Sequence, residues 1–141
     1  MNTSARDRVA HLDFWSSEVE PEPLAGGITN TNFIDDGQRL WLLDWDYAGY
    51  NTALFDLANL SSNNALSAQQ EDWILENYYQ QPVTDHLRRR LAAMKCISLL
   101  RETLWSIVSE IHSTLDFDYV SYTGKNLVRL ESALEAFRQM R

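Results

Sequence analysis

Arg39-Leu40-Trp41-Leu42-Leu43-Asp44-Trp45-Asp46-Tyr47-Ala48-Gly49-Tyr50-Asn51 is an apolar run that ends on a carboxylate. Leu40 to Leu43 read as a short buried strand. Asp44 stands at its end, and Asp46 with two tyrosines follows at once. A carboxylate delivered by a rigid element suits a hard cation such as Mg²⁺, which takes oxygen ligands. Phe33-Ile34 reads as a second strand, and Asp35-Asp36-Gly37 joins the two as a turn. An Asp-Gly pair between apolar runs is a hairpin signal because glycine accepts the positive φ of a tight turn.

Working outward, the N-terminal side reads as a helix over 4–16, capped by Ser4, with Val9, Leu12 and Trp15 on one face. An extended connector, Glu18 to Pro23, and a Gly26-Gly27 turn lead to the hairpin. On the C-terminal side the period becomes helical. A short helix begins at Leu54 and Phe55 and stops in the polar run Ser61 to Asn64, with Ser61-Ser62 as loop. Ser67 and Gln70 form a capping box for a helix to about Tyr79. After Pro82, Thr84 caps a long helix in which Leu87, Leu91, Met94, Leu104, Val108 and Ile111 keep helical spacing. A last helix spans 118–140 with Leu127, Leu130, Leu134 and Phe137 on its inner face. The expectation is an α+β fold, mostly α: a small β-hairpin followed by a helical bundle.

Composition narrows the function classes. A chain of 141 residues with 45% hydrophobic content and five Trp is long and apolar enough to bury a core. The formal net charge of -8 disfavours nucleic acid and anionic membrane partners, whose binding draws on basic patches. No apolar run approaches the ~20 residues of a membrane helix, and no signal peptide is visible. The single cysteine, Cys96, fits a reducing cytoplasm, and its setting reads as a buried small hydrophobe. His11, His86 and His112 fall on three different predicted helices and form no metal set, and Arg88-Arg89-Arg90 reads as a solvated helix face. Asp56 is a lone acid in an apolar helix start; a structural role follows, since a buried carboxylate needs hydrogen-bond donors.

Three segments in order, Asn32-Phe33-Ile34-Asp35-Asp36-Gly37, Leu42-Leu43-Asp44-Trp45-Asp46-Tyr47-Ala48 and Phe55-Asp56-Leu57-Ala58-Asn59, resemble the choline/ethanolamine kinase and aminoglycoside phosphotransferase family. Tyr47 to Asn51 looks most like the choline kinase branch. The resemblance implies a protein-kinase-like C-terminal lobe over 26–141, preceded by a helix and connector over 1–25. It implies ATP and Mg²⁺ as cofactors, with Asn32 and Asp44 holding the metal on the nucleotide phosphates. It implies a small cationic amino alcohol as substrate, held by Asp46, Tyr47, Trp105 and Tyr122. Aromatic faces and a carboxylate together attract such a cation. Trp105 matches the second Trp of a Trp-x-x-Trp helix motif, and Glu102 stands where the first would be.

The family's catalytic loop, His-x-Asp-x-x-x-x-Asn, counted back from Asn32, puts Gly27 at the catalytic Asp and Ala25 at the His. Neither accepts a proton, so activity of the chain alone is not expected. Pro23 to Phe33 also resembles the family's Gly-rich nucleotide loop, as though an internal deletion had joined two distant segments at Asn32-Phe33. Apolar faces left uncovered by such a loss favour association, and a homo-oligomer is expected.

Overall fold

The computed structural model describes residues 22–24, 33–43 and 49–140. The elements in order are β1 (Glu22–Leu24), β2 (Phe33–Asp35), β3 (Leu40–Leu42), β4 (Gly49–Asn51), α1 (Ala53–Asn64), α2 (Ala68–Tyr79), α3 (Asp85–His112) and α4 (Tyr119–Gln139). The helix expected over 4–16 and the Gly26-Gly27 turn lie outside the described residues.

The hairpin forms where the sequence placed it. β2 and β3 pair antiparallel with Phe33 opposite Leu42 and Asp35 opposite Leu40. Gly37 takes φ +84° in the turn. Asp36 Oδ1 accepts from the Gln38 and Arg39 amides at 2.8 and 2.7 Å, and Asp36 Oδ2 accepts from Trp41 Nε1 at 2.8 Å. These donors hold the Asp36 carboxyl below its ordinary range, the Trp41 bond contributing most. The strand is half-buried rather than buried: alternation turns Leu40 and Leu42 inward and leaves Trp41 and Leu43 exposed. Phe33 and Leu42, on the inner face, pack on Phe55 and dock the hairpin onto α1.

A second pairing was not foreseen. β1 runs antiparallel to β4, Glu22 opposite Asn51 and Leu24 opposite Gly49, so the connector is the partner of the strand that enters α1.

Ser67 and Thr84 cap their helices as expected, and Thr52 and Asp118, which the sequence reading did not single out, cap the other two. Thr52 Oγ1 accepts from the Leu54 amide at 3.3 Å, Ser67 and Gln70 form the capping box, Thr84 Oγ1 accepts from Leu87 N at 3.2 Å, and Asp118 Oδ1 accepts from Ser121 N at 2.9 Å. α1 ends within the polar run, at Asn64, and does not turn to loop at Ser61-Ser62. Its polar end is served from within: Ser62 Oγ donates to the Asn59 carbonyl at 3.1 Å, Asn64 Nδ2 donates to the Leu60 carbonyl at 2.7 Å, and Ser61 Oγ donates to Glu71 of α2. Side chains that usually compete with a helix here bond back onto it. Ser61 and Ser62 are therefore buried helix residues rather than loop.

Leu54, Ala58, Leu75, Leu87 and Leu91 form the core shared by α1, α2 and α3. A second cluster joins α3 to α4 through Cys96, Leu99 and Leu130, with Leu134 and Phe137 packed against it. Cys96 is buried, as expected, and burial pushes its thiol pKa up. Leu127 does not belong to the inner face of α4: it is exposed, and Tyr119 and Asn126 take the buried positions in its stead. Of the α3 series only Leu87, Leu91 and Met94 reach the core, while Leu104, Val108 and Ile111 are exposed. The arginine run is not simply solvated either. Arg88 bonds Asp72 of α2 at 2.8 Å and lowers its pKa, and the Arg89 guanidinium lies 4.6 Å over the Phe137 ring. His86 and His112 stand at the two ends of one helix, α3, and not on separate helices. No helix among the described residues is long and apolar enough to cross a membrane.

Candidate functional site

Asn32, Asp44, Asp46 and Tyr47 lie outside the described residues, as do Ala25 and Gly27. Trp105 and Tyr122 are described, and the fold brings them together. Trp105 sits in the last third of α3 and Tyr122 one turn into α4. A short link, residues 113–118, reverses the chain so that the two helices lie side by side.

The antiparallel pair sets the geometry. Ser106 Oγ and Thr123 Oγ1 lie 2.8 Å apart across the seam. Beside that bond the Trp105 and Tyr122 rings meet edge to face, with centroids 6.5 Å apart and planes at 82°. Tyr119 approaches Trp105 at 6.1 Å, and Phe117 lies 4.9 Å from Tyr119 and 5.5 Å from Tyr122. Such offset contacts suit the ring quadrupoles. Tyr119 is buried and its hydroxyl bonds Ser113 Oγ at 2.9 Å, tying the link to the helix start. Trp105 remains 41% exposed and Phe117 52%, so these two rings of the cluster are open to a ligand.

A carboxylate completes the arrangement. Glu102 is one turn before Trp105 on α3, and its Oε1 accepts from Tyr122 Oη at 2.6 Å. Burial, and then the Glu102 carboxylate, raise the Tyr122 phenol pKa, so the hydroxyl stays protonated and donating at neutral pH. Four aromatic rings beside one carboxylate have the chemistry of a cation site, in which π faces and charge act together. The sequence pointed to Trp105, Tyr122 and Glu102. It missed Tyr119 and Phe117, whose only signal was their place in Phe117-Asp118-Tyr119 immediately before the helix start.

Asp56 is buried in the first turn of α1, where a carboxylate is favoured by the helix dipole. Among the described residues no group of three or more His, Cys, Asp or Glu side chains could hold a metal.

No family model matches the chain. Protein LicA of Haemophilus influenzae is 28% identical over 138 residues, a match that covers 90% of this chain and 49% of that protein. The chain therefore spans about half the length of this curated relative. Among solved structures, a choline/ethanolamine kinase family protein from Mesorhizobium loti matches with a TM-score of 0.74 at 24% identity, over 92% of this chain and 46% of that one. The choline kinase LicA from Streptococcus pneumoniae matches with a TM-score of 0.60 at 23% identity, over 94% of this chain and 43% of that one. LicA has also been solved in complex with AMP. In sequence the chain is thus similar to LicA, and its mostly helical fold with a small hairpin is that of choline/ethanolamine kinases, matched over about half of their length.

Proposed function

We propose that this chain is a lobe of choline/ethanolamine kinase type that binds a small cationic amino alcohol and does not phosphorylate it unaided. The observation that carries the reading is the cluster of Trp105, Tyr119 and Tyr122 beside the Glu102 carboxylate. Aromatic faces contribute about 0.5–2 kcal/mol each to holding a cation. The carboxylate adds a charge contact, and a protonated amine can also donate to it. Asp46 and Tyr47, by resemblance, would line the same pocket.

Asn32 and Asp44 would hold Mg²⁺ on the phosphates of ATP, where the metal supplies charge neutralisation. The reading of the chain as inactive rests on Gly27 at the position of the catalytic Asp, since glycine has no group to take the proton from a substrate hydroxyl. An internal deletion in an ancestral kinase accounts for the juxtaposed Gly-rich and Asn-Phe segments. The second reading, a non-catalytic association module on the same lobe, is favoured by the exposed aliphatic side chains of α3 and α4.

Calorimetric titration with choline, with ethanolamine and then with Mg²⁺-ATP tests the first reading. The expected result is amino-alcohol binding with Kd of about 1 mM or tighter, near -4 kcal/mol, weakened at least tenfold by Trp105→Ala and by Tyr47→Ala. Asp44→Ala should leave it intact and remove nucleotide binding. Silence toward both amines from a folded chain would overturn the reading.

A further inference from the structure

α3 has three faces, and two of them are accounted for. Leu87, Leu91 and Met94 meet the core of α1 and α2, and Cys96, Leu99 and Ser106 meet α4. At ~100° per residue, these sets occupy adjacent thirds of the helix. The remaining third carries Ile97, Leu100, Leu104, Ile107 and Ile111, all exposed, Ile111 by 73% and Leu104 by 54%. Their spacing alternates three and four residues, the pattern of a helix-packing seam. The seam is about 21 Å long at 1.5 Å per residue, and no charged residue interrupts it at that phase.

α4 extends the same surface. Arg129 donates to the Ser62 carbonyl of α1, and Tyr122 bonds Glu102, so these residues mark the flank of α4 turned toward α1. Val120 and Leu127 fall on the opposite flank, beside the α3 seam, and both are exposed. Gly124 lies between them, and nothing stands within 4 Å of the place a Cβ would take, which leaves a notch for a close approach. Together these side chains open on the order of 700 Å² of apolar surface, above the ~300–600 Å² of the largest patch on a typical monomer.

We propose that this α3–α4 face is the surface on which two copies of the chain associate about a twofold axis, building a four-helix arrangement from two helical pairs. The proposal rests on the association reading of the lobe and is independent of the phosphotransferase one. Its area is close to the ~800 Å² that each partner gives to a standard interface. A twofold axis pairs the same patch with itself. Along α3 the seam sets no charged side chain against its copy, although each chain has formal net charge -8; the exposed Glu131, one turn beyond Leu127, stands at its α4 end. The aromatic cluster lies on the other flank of the helical pair, toward α1, so association leaves it open.

Light scattering on the eluting chain, from about 5 to 200 µM, tests the assignment. The expected result is a dimer, converted to monomer by Leu104→Glu with Ile111→Glu, and weakened at least tenfold by Val120→Gln alone. Both variants change exposed side chains, and circular dichroism with a thermal scan checks that the helices persist. Ile34→Glu, an exposed apolar site on the hairpin, should remain dimeric. A monomeric wild type at 200 µM overturns both association and this surface. A dimer that survives both α3–α4 variants, or that dissociates only with Ile34→Glu, leaves association standing and overturns the surface.

Discussion

Replacing Tyr122 with Phe removes one oxygen and keeps the ring, which isolates the bond between the two helices of the site. The phenol donates to Glu102 Oε1 at 2.6 Å, and both residues are half-buried. A hydrogen bond to an ionised group contributes about 1.5–3 kcal/mol where it is well enclosed. Partial exposure of both partners lowers that to about 1 kcal/mol. With a urea slope of about 2 kcal/mol per M for a chain of this size, the midpoint should fall by about 0.5 M. Glu102→Gln should cost a similar amount. The double variant should cost less than the sum, leaving a coupling near 1 kcal/mol.

The pH dependence of that bond has a fixed sign. The Tyr122 pKa is raised, by burial first and by Glu102 second. The stabilisation is therefore fully present below the unfolded phenol pKa of about 10. It is lost as pH rises through the folded value. The wild-type and Tyr122→Phe urea midpoints, separate at pH 7, should converge above about pH 10. A coupling below about 0.3 kcal/mol, or a gap that stays constant to pH 11, would refute the assignment of this bond as the link between α3 and α4.

Further outcomes follow from the same contacts. Leu91→Ala should cost about 2–5 kcal/mol in a urea titration, because Leu91 is 2% exposed at the junction of α1, α2 and α3. Thr84→Ala, which deletes the cap of α3, should cost about 1 kcal/mol by the same measurement. The Asp72 pKa is lowered by its bond to Arg88, so the stability from that pair is present above the unfolded carboxylate pKa of about 4 and lost as pH falls through the folded value. Asp72→Asn should accordingly flatten the acid limb of a stability–pH curve. Cys96 should react with a thiol reagent only as fast as the chain opens, since burial both shields the thiol and raises its pKa.

What the sequence determined by itself was local. The Asp-Gly turn, the Ser67–Gln70 box and the Thr84 cap each rest on residues within three or four positions of one another, and each forms where the sequence places it. The fold class and the resemblance to kinases were legible for a related reason, because motif residues keep fixed spacing along the chain.

Contacts between distant segments were decided by the tertiary structure alone. The pairing of β1 with β4 joins residues 22–24 to 49–51, and nothing in either three-residue stretch names its partner. Ser61 to Asn64 have the composition of a loop, and they stay helical because Glu71 of α2 and their own preceding turn supply partners. Leu127 and Leu130 are equally apolar, and only the direction from which α3 approaches makes one exposed and the other buried. Helical spacing says which residues share a face; it cannot say which face meets a neighbour. That choice also set the site: the turn at 113–118 brought Tyr119 and Tyr122 onto Trp105 and Glu102.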